Sequence, residues 1–331
     1  MITLERGVFT ISLDLELIWG TLDLFGPERF RRACLIEREI VIDRLLELFA
    51  QYKIAATWCI VGHLFLDRCR ADNGVKHPEI VPPQHRWSRD WFAHDPCSDE
   101  ARDPIFYGRR LVEKIRACPV VQEIGCHSFS HVIFDDAGCS PATAESEVAA
   151  CVQLAAQLGI QMRSFVFPRD RVGYLDVLAK HGFTCYRGPE PHWYNRERIP
   201  GPVKRLGHLW TFLTAAQPPV VLPERAASGL WNIPASMMYF PMHGLRRYLP
   251  LRLRVGRAIK GLNAAARQRR VFHLWFHPTN MADQLEKMFE GLRHILEHAD
   301  QLRSRHELEV LPMRALAEYS ASTSVATDAA L

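Results

Sequence analysis

The chain has 331 residues, of which 48% are hydrophobic and 24% are charged. This length and composition allow a substantial buried core and exclude extended disorder for most of the chain. The formal net charge of +4 is a mild excess, so no nucleic acid is expected as a partner.

Nine cysteines are scattered along the chain, and no two of them have the Cys-x-x-Cys spacing of a thiolate zinc site. We therefore expect no such site, and the odd count predicts reduced thiols. Residues 1–7 lack a basic region followed by an apolar core, and no apolar run approaches the ~20 residues of a membrane span. Together these features predict a cytoplasmic protein.

The first predicted element is a buried strand over residues 8–13, which are mostly apolar and rich in β-branched side chains. It runs directly into Asp14, Leu15 and Glu16, so two carboxylates share one face of an extended backbone. A helix N-cap with a solvated glutamate would also explain the two acids. Their place at the end of a buried strand favours a functional pair.

Helices and strands then alternate. The sequence predicts helices at 36–52, 105–117, 141–158 and 174–181, and strands at 55–61, 123–126, 163–167 and 183–186. This alternation predicts a parallel sheet with covering helices, either open or closed into a barrel. Segments without a clear period interrupt it at about 62–104 and 189–270.

The strand at 123–126 delivers His127 and His131, four residues apart. Such a turn can aim both imidazoles at one point, and neutral imidazole is the commonest protein ligand for zinc and similar metals. On this pair alone, a core histidine beside a surface histidine explains the sequence equally well.

The basic segment 244–270 carries nine basic residues and no acidic one, with leucines, valine and isoleucine between them. This pattern is typical of an interfacial amphipathic segment, and equally of a solvated helix packed on the domain. A strand at 230–238 precedes it. Beyond it we predict a strand at 271–276 ending in His277, a helix at 283–298, a strand at 308–311 and a helix at 313–319. Residues 320–331 are expected to be a disordered tail.

Side chains that can bind a metal or transfer a proton therefore follow three predicted strands. They are Asp14 with Glu16, His127 with His131, and His277. The carboxyl ends of parallel strands converge on one rim, where active sites of α/β proteins lie. Two histidines and one carboxylate form a three-ligand metal site with open positions, where water acquires a pKa near ~7 and a carbonyl is polarised. The second carboxylate and the third histidine are the base and acid that amide or ester hydrolysis needs.

The order of these stretches resembles the polysaccharide deacetylase family (NodB-homology domain, carbohydrate esterase family 4) over about residues 8–311. The family's His-Ser/Thr-x-x-His motif is present in full at 127–131, and its late motif matches Trp275-Phe276-His277. The acidic motif departs from the usual two adjacent aspartates, because it is Asp14-Leu15-Glu16.

Two further motifs depart from the family pattern. The stretch Phe167-Pro168-Arg169-Asp170 places the arginine after the proline. The Asp-x-x-Asp-Trp motif has no clear match, although Trp231 lies in that region.

The resemblance implies a distorted (β/α) barrel of the NodB-homology type, a single catalytic domain over 1–319 with the insertions at 62–104 and 189–270. It implies that Glu16, His127 and His131 hold a divalent metal. Zinc is the default for this ligand set, and Co²⁺, Ni²⁺ or Fe²⁺ would also accept it.

The same resemblance makes Asp14 the general base that acts on the metal-bound water and His277 the acid that protonates the leaving amine. Arg169 would orient Asp14. The implied reaction is N-deacetylation of an N-acetylated sugar, and a cytoplasmic location favours a nucleotide- or lipid-linked intermediate of surface-polysaccharide synthesis. The basic segment 244–270 would then provide peripheral contact with an anionic membrane, at its inner face.

Two alternatives stay open. The same site could open a cyclic amide, since the altered arginine motif leaves room for another substrate. In a different class, the protein could be a deacetylase-like binding protein without chemistry.

Overall fold

A computed structural model describes residues 2–192, 199–203, 207, 210–211 and 214–328. Ten strands lie in these residues: β1 (Gly7–Leu15), β2 (Thr57–Ile60), β3 (Glu123–Cys126), β4 (Ser164–Val166), β5 (Cys185–Arg187), β6 (Glu224–Arg225), β7 (Trp231–Asn232), β8 (Met237–Met238), β9 (Val271–Phe276) and β10 (Leu308–Val310). The helices used below are α1 (Leu22–Phe25), α2 (Arg31–Ile36), α3 (Ile42–Gln51), α4 (Arg109–Arg116), α5 (Pro141–Gln157), α6 (Leu175–Lys180), α7 (Leu251–Gln268), α8 (Leu285–Ser304) and α9 (Met313–Asp328). The predicted helix at 36–52 is present, but a π-helical turn over Glu37–Val41 joins α2 to α3.

The sheet has the order β6-β7-β5-β4-β3-β2-β1-β9-β8, and β10 also pairs with β1. Every pairing between these strands is parallel except that of β6 with β7. The predicted parallel sheet with covering helices is therefore confirmed. Because β10 lies beside β1, the two ends of the chain share one sheet, which agrees with a single domain over 1–319; that boundary stays a prediction.

The segment between β7 and β8 draws the two sides of the sheet together. Ile233 N donates to the carbonyl of Tyr186, whereas Ser236 N donates to the carbonyl of His273 on the opposite side. The predicted strand at 230–238 is thus split into two short strands, because the chain changes partners between them. Ala235 N still donates to the carbonyl of Gly188, so the change of partner falls between Ala235 and Ser236. The result is a curled, half-closed barrel.

β1 shows how the sheet positions a site. Phe9, Ile11 and Leu13 lie in the main apolar core. Since side chains alternate along a strand, Thr10, Ser12 and Asp14 lie on the other face, and they too are buried. A polar row therefore runs through the barrel and ends in a carboxylate at the rim.

The basic segment 244–270 corrects the sequence analysis. Most of it is the helix α7, whose Arg254 and Arg257 are buried. Arg254 Nη2 donates to the carbonyl of Arg246 (2.9 Å), and Arg257 Nε donates to the carbonyl of Ala216 (3.2 Å). Because these guanidinium groups bind backbone carbonyls, the expected membrane contact through this segment is not supported. Among the described helices, none combines the length and the apolar character that crossing a bilayer requires.

The insertion at 189–270 is therefore less irregular than expected. It contains β6, β7, β8 and α7, while residues 193–198, 204–206, 208–209 and 212–213 lie outside the described part of the chain.

The predicted disordered tail is also wrong for residues 320–328, because α9 continues to Asp328. Ser320 is buried, and its hydroxyl donates to the carbonyl of Leu316 (2.8 Å). Leu316 packs in a second apolar cluster together with Val8 of β1, which anchors the helix on the sheet. Residues 329–331 lie outside the described residues.

Candidate active site

The carboxyl ends of four parallel strands meet at one rim. Asp14 is the penultimate residue of β1 and Glu16 follows that strand, His127 follows β3, Arg187 ends β5 and His277 follows β9. Asp14 and Glu16 line the same cavity as His131, Arg187 and His277. The structure thus brings together five of the six predicted site residues, Asp14, Glu16, His127, His131 and His277.

The two histidines of the predicted metal site both approach the same carboxylate oxygen of Glu16. Glu16 Oε1 lies 2.9 Å from His127 Nε2 and 3.2 Å from His131 Nε2. The three side chains are buried, and one donor atom of each lies within 4.8 Å of the others. These distances suit one small cation after minor adjustment.

The orientation of His127 fits a metal ligand. Its Nδ1 lies 2.8 Å from the carbonyl of Val166, which can only accept, so Nδ1 carries the hydrogen. In the neutral ring Nε2 then presents a lone pair toward Glu16 Oε1. These two acceptor atoms repel each other unless a proton or a cation lies between them. The hydrogen bond from Nδ1 to the Val166 carbonyl is the kind of support that metal-ligating histidines usually have.

The turn that carries the histidines has strained backbone. Ser128 and His131 both adopt positive φ angles, of 58° and 64°, which non-glycine residues adopt uncommonly. Glu147 of α5 supports this turn, because its carboxylate accepts from the backbone N–H (2.8 Å) and the hydroxyl (2.5 Å) of Ser130. Burial raises the pKa of Glu147 to about 7, although its bonds with Ser130 lower it.

The electrostatics favour an anionic Glu16 and a neutral His131. Burial raises the pKa of Glu16, but the neighbouring His277 and His131 outweigh it and hold that pKa well below its usual range. Burial also lowers the pKa of His131, because the charged imidazolium is poorly solvated there. A charged carboxylate and a neutral imidazole are the protonation states that bind a metal.

Arg187, and not Arg169, orients Asp14. Its Nη1 and Nη2 donate to the two carboxylate oxygens of Asp14, each at 2.7 Å. Its guanidinium lies 4.2 Å from the ring centroid of Trp275 and also bonds to Asp170 (3.2 Å). Burial raises the pKa of Asp14, but Arg187 outweighs it, so the pKa lies below its usual value.

The expectation that Arg169 orients Asp14 is therefore wrong. Arg169 lies in a short 3-10 turn with a φ of 55°, and its Nη2 donates to both carboxylate oxygens of Asp23, each at 2.7 Å. This backbone conformation directs its side chain toward α1, at the outer wall of the cavity. The sequence did offer a signal for Arg187, because a charged residue ends the apolar strand β5 just as Asp14 lies near the end of β1.

His277 lies between the two acids and the cavity. Its Nε2 is 3.4 Å from Glu16 Oε1 and 3.8 Å from Asp14 Oδ2, and its side chain is 25% exposed. Burial lowers the pKa of His277, but Glu16 and Asp14 outweigh it and raise the pKa to about 9.

The cavity above these residues has a volume of about 390 Å³. Its wall includes the aromatic rings of Trp275 and Phe240 and the cationic side chains of Arg169 and Arg246. A few convergent polar groups in a mostly apolar cleft are typical of a small-molecule site.

No family model matches the chain, and no curated protein matches its sequence. Solved structures do match. A protein from Mycobacterium smegmatis that carries the name polysaccharide deacetylase superposes with a TM-score of 0.62 at 11% identity, over 98% of this chain and 96% of that one. A protein of the same name from Pseudomonas aeruginosa PAO1 superposes with a TM-score of 0.59 at 10% identity, over 94% of this chain and 90% of that one. A PuuE allantoinase superposes with a TM-score of 0.58 at 10% identity, over 96% of this chain and 90% of that one.

These likenesses show the fold. The chain has the curled (β/α) barrel of the polysaccharide deacetylases, so the predicted fold class is confirmed.

Proposed function

We propose that the protein is a metal-dependent hydrolase that removes the N-acetyl group from an N-acetylated sugar. The observation that carries this proposal is the convergence of Glu16, His127 and His131 beside Asp14 and His277 at the mouth of a cavity. Two structural neighbours that carry the name polysaccharide deacetylase support it.

The metal would be held by Glu16, His127 and His131, and Zn²⁺ is the default for this set, with Co²⁺, Ni²⁺ or Fe²⁺ as alternatives. A divalent ion bound there supplies Lewis acidity, which polarises the amide carbonyl and acidifies water. The remaining steps belong to the side chains around it.

Asp14 is the general base and His277 the general acid. Arg187 keeps Asp14 ionised, so it can accept a proton from the attacking water. His277, with its pKa raised to about 9, carries a proton at neutral pH and can deliver it to the leaving amine nitrogen. Environments that push the pKa values of two neighbouring groups apart are typical of an acid–base pair.

The cavity wall supports a nucleotide- or lipid-linked sugar of surface-polysaccharide synthesis as the substrate. Trp275 and Phe240 offer flat apolar faces for a sugar ring. Arg246, whose guanidinium lies 4.7 Å from the Phe240 ring centroid, offers a cation for a phosphate group. Such intermediates are made in the cytoplasm, which is the location we propose.

A second candidate is a hydrolase of ring amides, and the likeness to an allantoinase favours it. It uses the same water, base and acid on another carbon–nitrogen bond. Parallel assays of acetate release from N-acetyl sugars and of ring opening in cyclic amides separate the two candidates.

The experiment that tests the proposal is elemental analysis of the wild type beside His127→Ala, with acetate release measured on the same samples. We expect the variant to lose one metal ion per chain and its acetate release. His294→Ala is the matched control, because this half-exposed histidine of α8 should leave both quantities unchanged. Acetate release that persists in His127→Ala would contradict the proposal.

A further inference from the structure

A second group of metal-ligating side chains lies in the long loop that follows β2. His63 belongs to a 3-10 turn (Gly62–Phe65), whereas Cys69, His77 and Asp95 come from irregular chain. One donor atom of each of these four residues lies within 4.8 Å of the others. The spacing of the cysteines predicts no thiolate zinc site, but the fold gathers one cysteine with three ligands of other kinds.

One oxygen of Asp95 is the focus of this group. Asp95 Oδ2 lies 2.6 Å from His77 Nε2, 3.4 Å from His63 Nε2 and 3.9 Å from Cys69 Sγ. Zinc bonds of about 2.0–2.3 Å in tetrahedral geometry place ligand atoms roughly 3.3–3.6 Å apart. Around Asp95 Oδ2, the His77 distance has to open by less than about 1 Å and the Cys69 distance has to close by a few tenths of an ångström to reach that spacing.

His63 supplies a buried lone pair that needs a partner. Its side chain is fully buried, and its Nδ1 lies 3.0 Å from the carbonyl of Phe106, which fixes the hydrogen on Nδ1. Within the described residues, Nε2 has no hydrogen-bond partner. It points instead at the carboxylate of Asp95. Such an arrangement is unfavourable for two acceptors alone and favourable around a cation.

Outer groups hold the other ligands in place. The backbone N–H of Cys97 donates to Asp95 Oδ1 (2.9 Å), which leaves Oδ2 free to bind. Glu79 Oε1 lies 3.7 Å from the second ring nitrogen of His77, and the hydroxyl of Tyr107 lies 3.2 Å from Cys69 Sγ. The hydrogen bonds to Asp95 and Cys69 are of the kind that orients the ligands of metal sites, and the Glu79 carboxylate adds a charge contact to His77.

We propose that His63, Cys69, His77 and Asp95 bind a second divalent metal ion, with zinc as the best fit, in a closed structural site. Four protein ligands leave no open position for substrate, which is the pattern of structural zinc. The site would stabilise a segment with little regular structure of its own. Residues 66–108 contain no helix, and their β-pairing is limited to isolated bridges.

The proposed ion also supports the turn of the first site. The ring of Phe129, between His127 and His131 in the sequence, lies 5.7 Å from the ring of His63 and 5.2 Å from that of His77. In addition, His63 N donates to the carbonyl of Phe129 (2.9 Å). An ion that fixes both imidazoles therefore fixes one side of the turn.

Cobalt substitution tests the proposal. Of the two sites only this one contains a thiolate, so the Co²⁺-loaded wild type should show a thiolate-to-cobalt charge-transfer band and bind two cobalt ions per chain. Cys69→Ser should lose the band and one ion. Cys97→Ser is the matched control, because its sulfur lies 3.1 Å from that of Cys69 but outside the ligand set, so it should keep both.

The outcomes separate the two sites. His127→Ala should keep the band while losing one ion, so failure of the proposed catalytic site leaves the band intact. A wild type without the band, or a band that persists in Cys69→Ser or disappears in Cys97→Ser, overturns the assignment. The band in the wild type is informative even if a variant fails to fold. Thiol titration of the unfolded, unreduced protein should find all nine cysteines free; two fewer would indicate a Cys69–Cys97 disulfide instead of a metal site.

Limited proteolysis tests the structural role. We expect cleavage within residues 66–103 to be at least about tenfold faster in Cys69→Ser than in Cys97→Ser, because local opening exposes the segment. Equal rates would show that the ion does not hold the segment.

Discussion

Replacing Arg187 by methionine removes the guanidinium that binds both oxygens of the buried Asp14 carboxylate. The side chain of Asp14 is 3% exposed, and Arg187 supplies both of its charge-assisted bonds. Breaking a buried ion pair by removing one partner typically costs about 3–5 kcal/mol, and methionine retains most of the apolar contact. We therefore expect Arg187→Met to lower the free energy of unfolding by about 3–5 kcal/mol.

Arg169→Met is the matched control. Arg169 is 31% exposed, and its partner Asp23 keeps the hydrogen bond from the indole of Trp87 (2.8 Å) after the change. Partly exposed pairs contribute about 1 kcal/mol or less, so this variant should lose no more than that.

Urea unfolding of both variants and the wild type, loaded with the same metal, measures the difference. Acetate release measured in parallel should fall on the order of 10²–10⁴-fold in Arg187→Met, because Asp14 loses the group that orients and ionises it. Equal destabilisation by the two substitutions, or a loss below about 1 kcal/mol for Arg187→Met, would refute the assignment of Arg187 to Asp14.

Three further predictions concern single residues of the site. His277→Gln should retain bound metal by elemental analysis but lower the rate of acetate release on the order of 10²–10⁴-fold; loss of metal would contradict its role as an acid. Gly20→Ala should weaken metal binding roughly 10–100-fold in a competition titration. The Cβ of the new alanine would lie 1.6 Å from Glu16 Oε2 and displace that carboxylate. Unchanged metal affinity would show that Glu16 has room to move. Glu147→Gln should reduce, but not abolish, the fall in stability with rising pH, because Glu37, whose pKa burial raises to about 8, contributes a fall of its own. The folded pKa of Glu147, about 7, lies above the ordinary value of 4.5, so the folded state holds more protons than the unfolded state between these values. Glu147 should therefore contribute a loss of up to about 3 kcal/mol from pH 4.5 to 7 in urea unfolding of the wild type, and a variant with the same slope would contradict this.

The strand ends could be predicted because their signals are local. Asp14, Glu16, His127 and His277 each follow a short apolar run, and a parallel sheet brings such ends to one rim without any further information. The pattern of apolar and polar residues was therefore enough to place these three strands and the chemistry at their ends.

The partner of Asp14 could not be predicted in the same way, because the pairing crosses the barrel. Arg169 follows the buried strand β4 and Arg187 is the last residue of the buried strand β5, and the choice between them depends on the φ of 55° at Arg169, which no spacing reveals. The buried arginines of α7 show the same limit. The number of charges in 244–270 predicts a basic surface. In the structure, however, Arg254 and Arg257 are buried and donate hydrogen bonds to backbone carbonyls of neighbouring segments.

The placement of β1 in the sheet affects how the molecule is made. β1 comes first among the described strands, yet two of its three hydrogen-bonded neighbours, β9 and β10, are the last two of them. Contacts of such long sequence separation slow folding, so a partly folded chain leaves one backbone edge of β1 unpaired while its other parts form. A nascent chain of this protein should therefore depend on chaperones that shield extended hydrophobic segments.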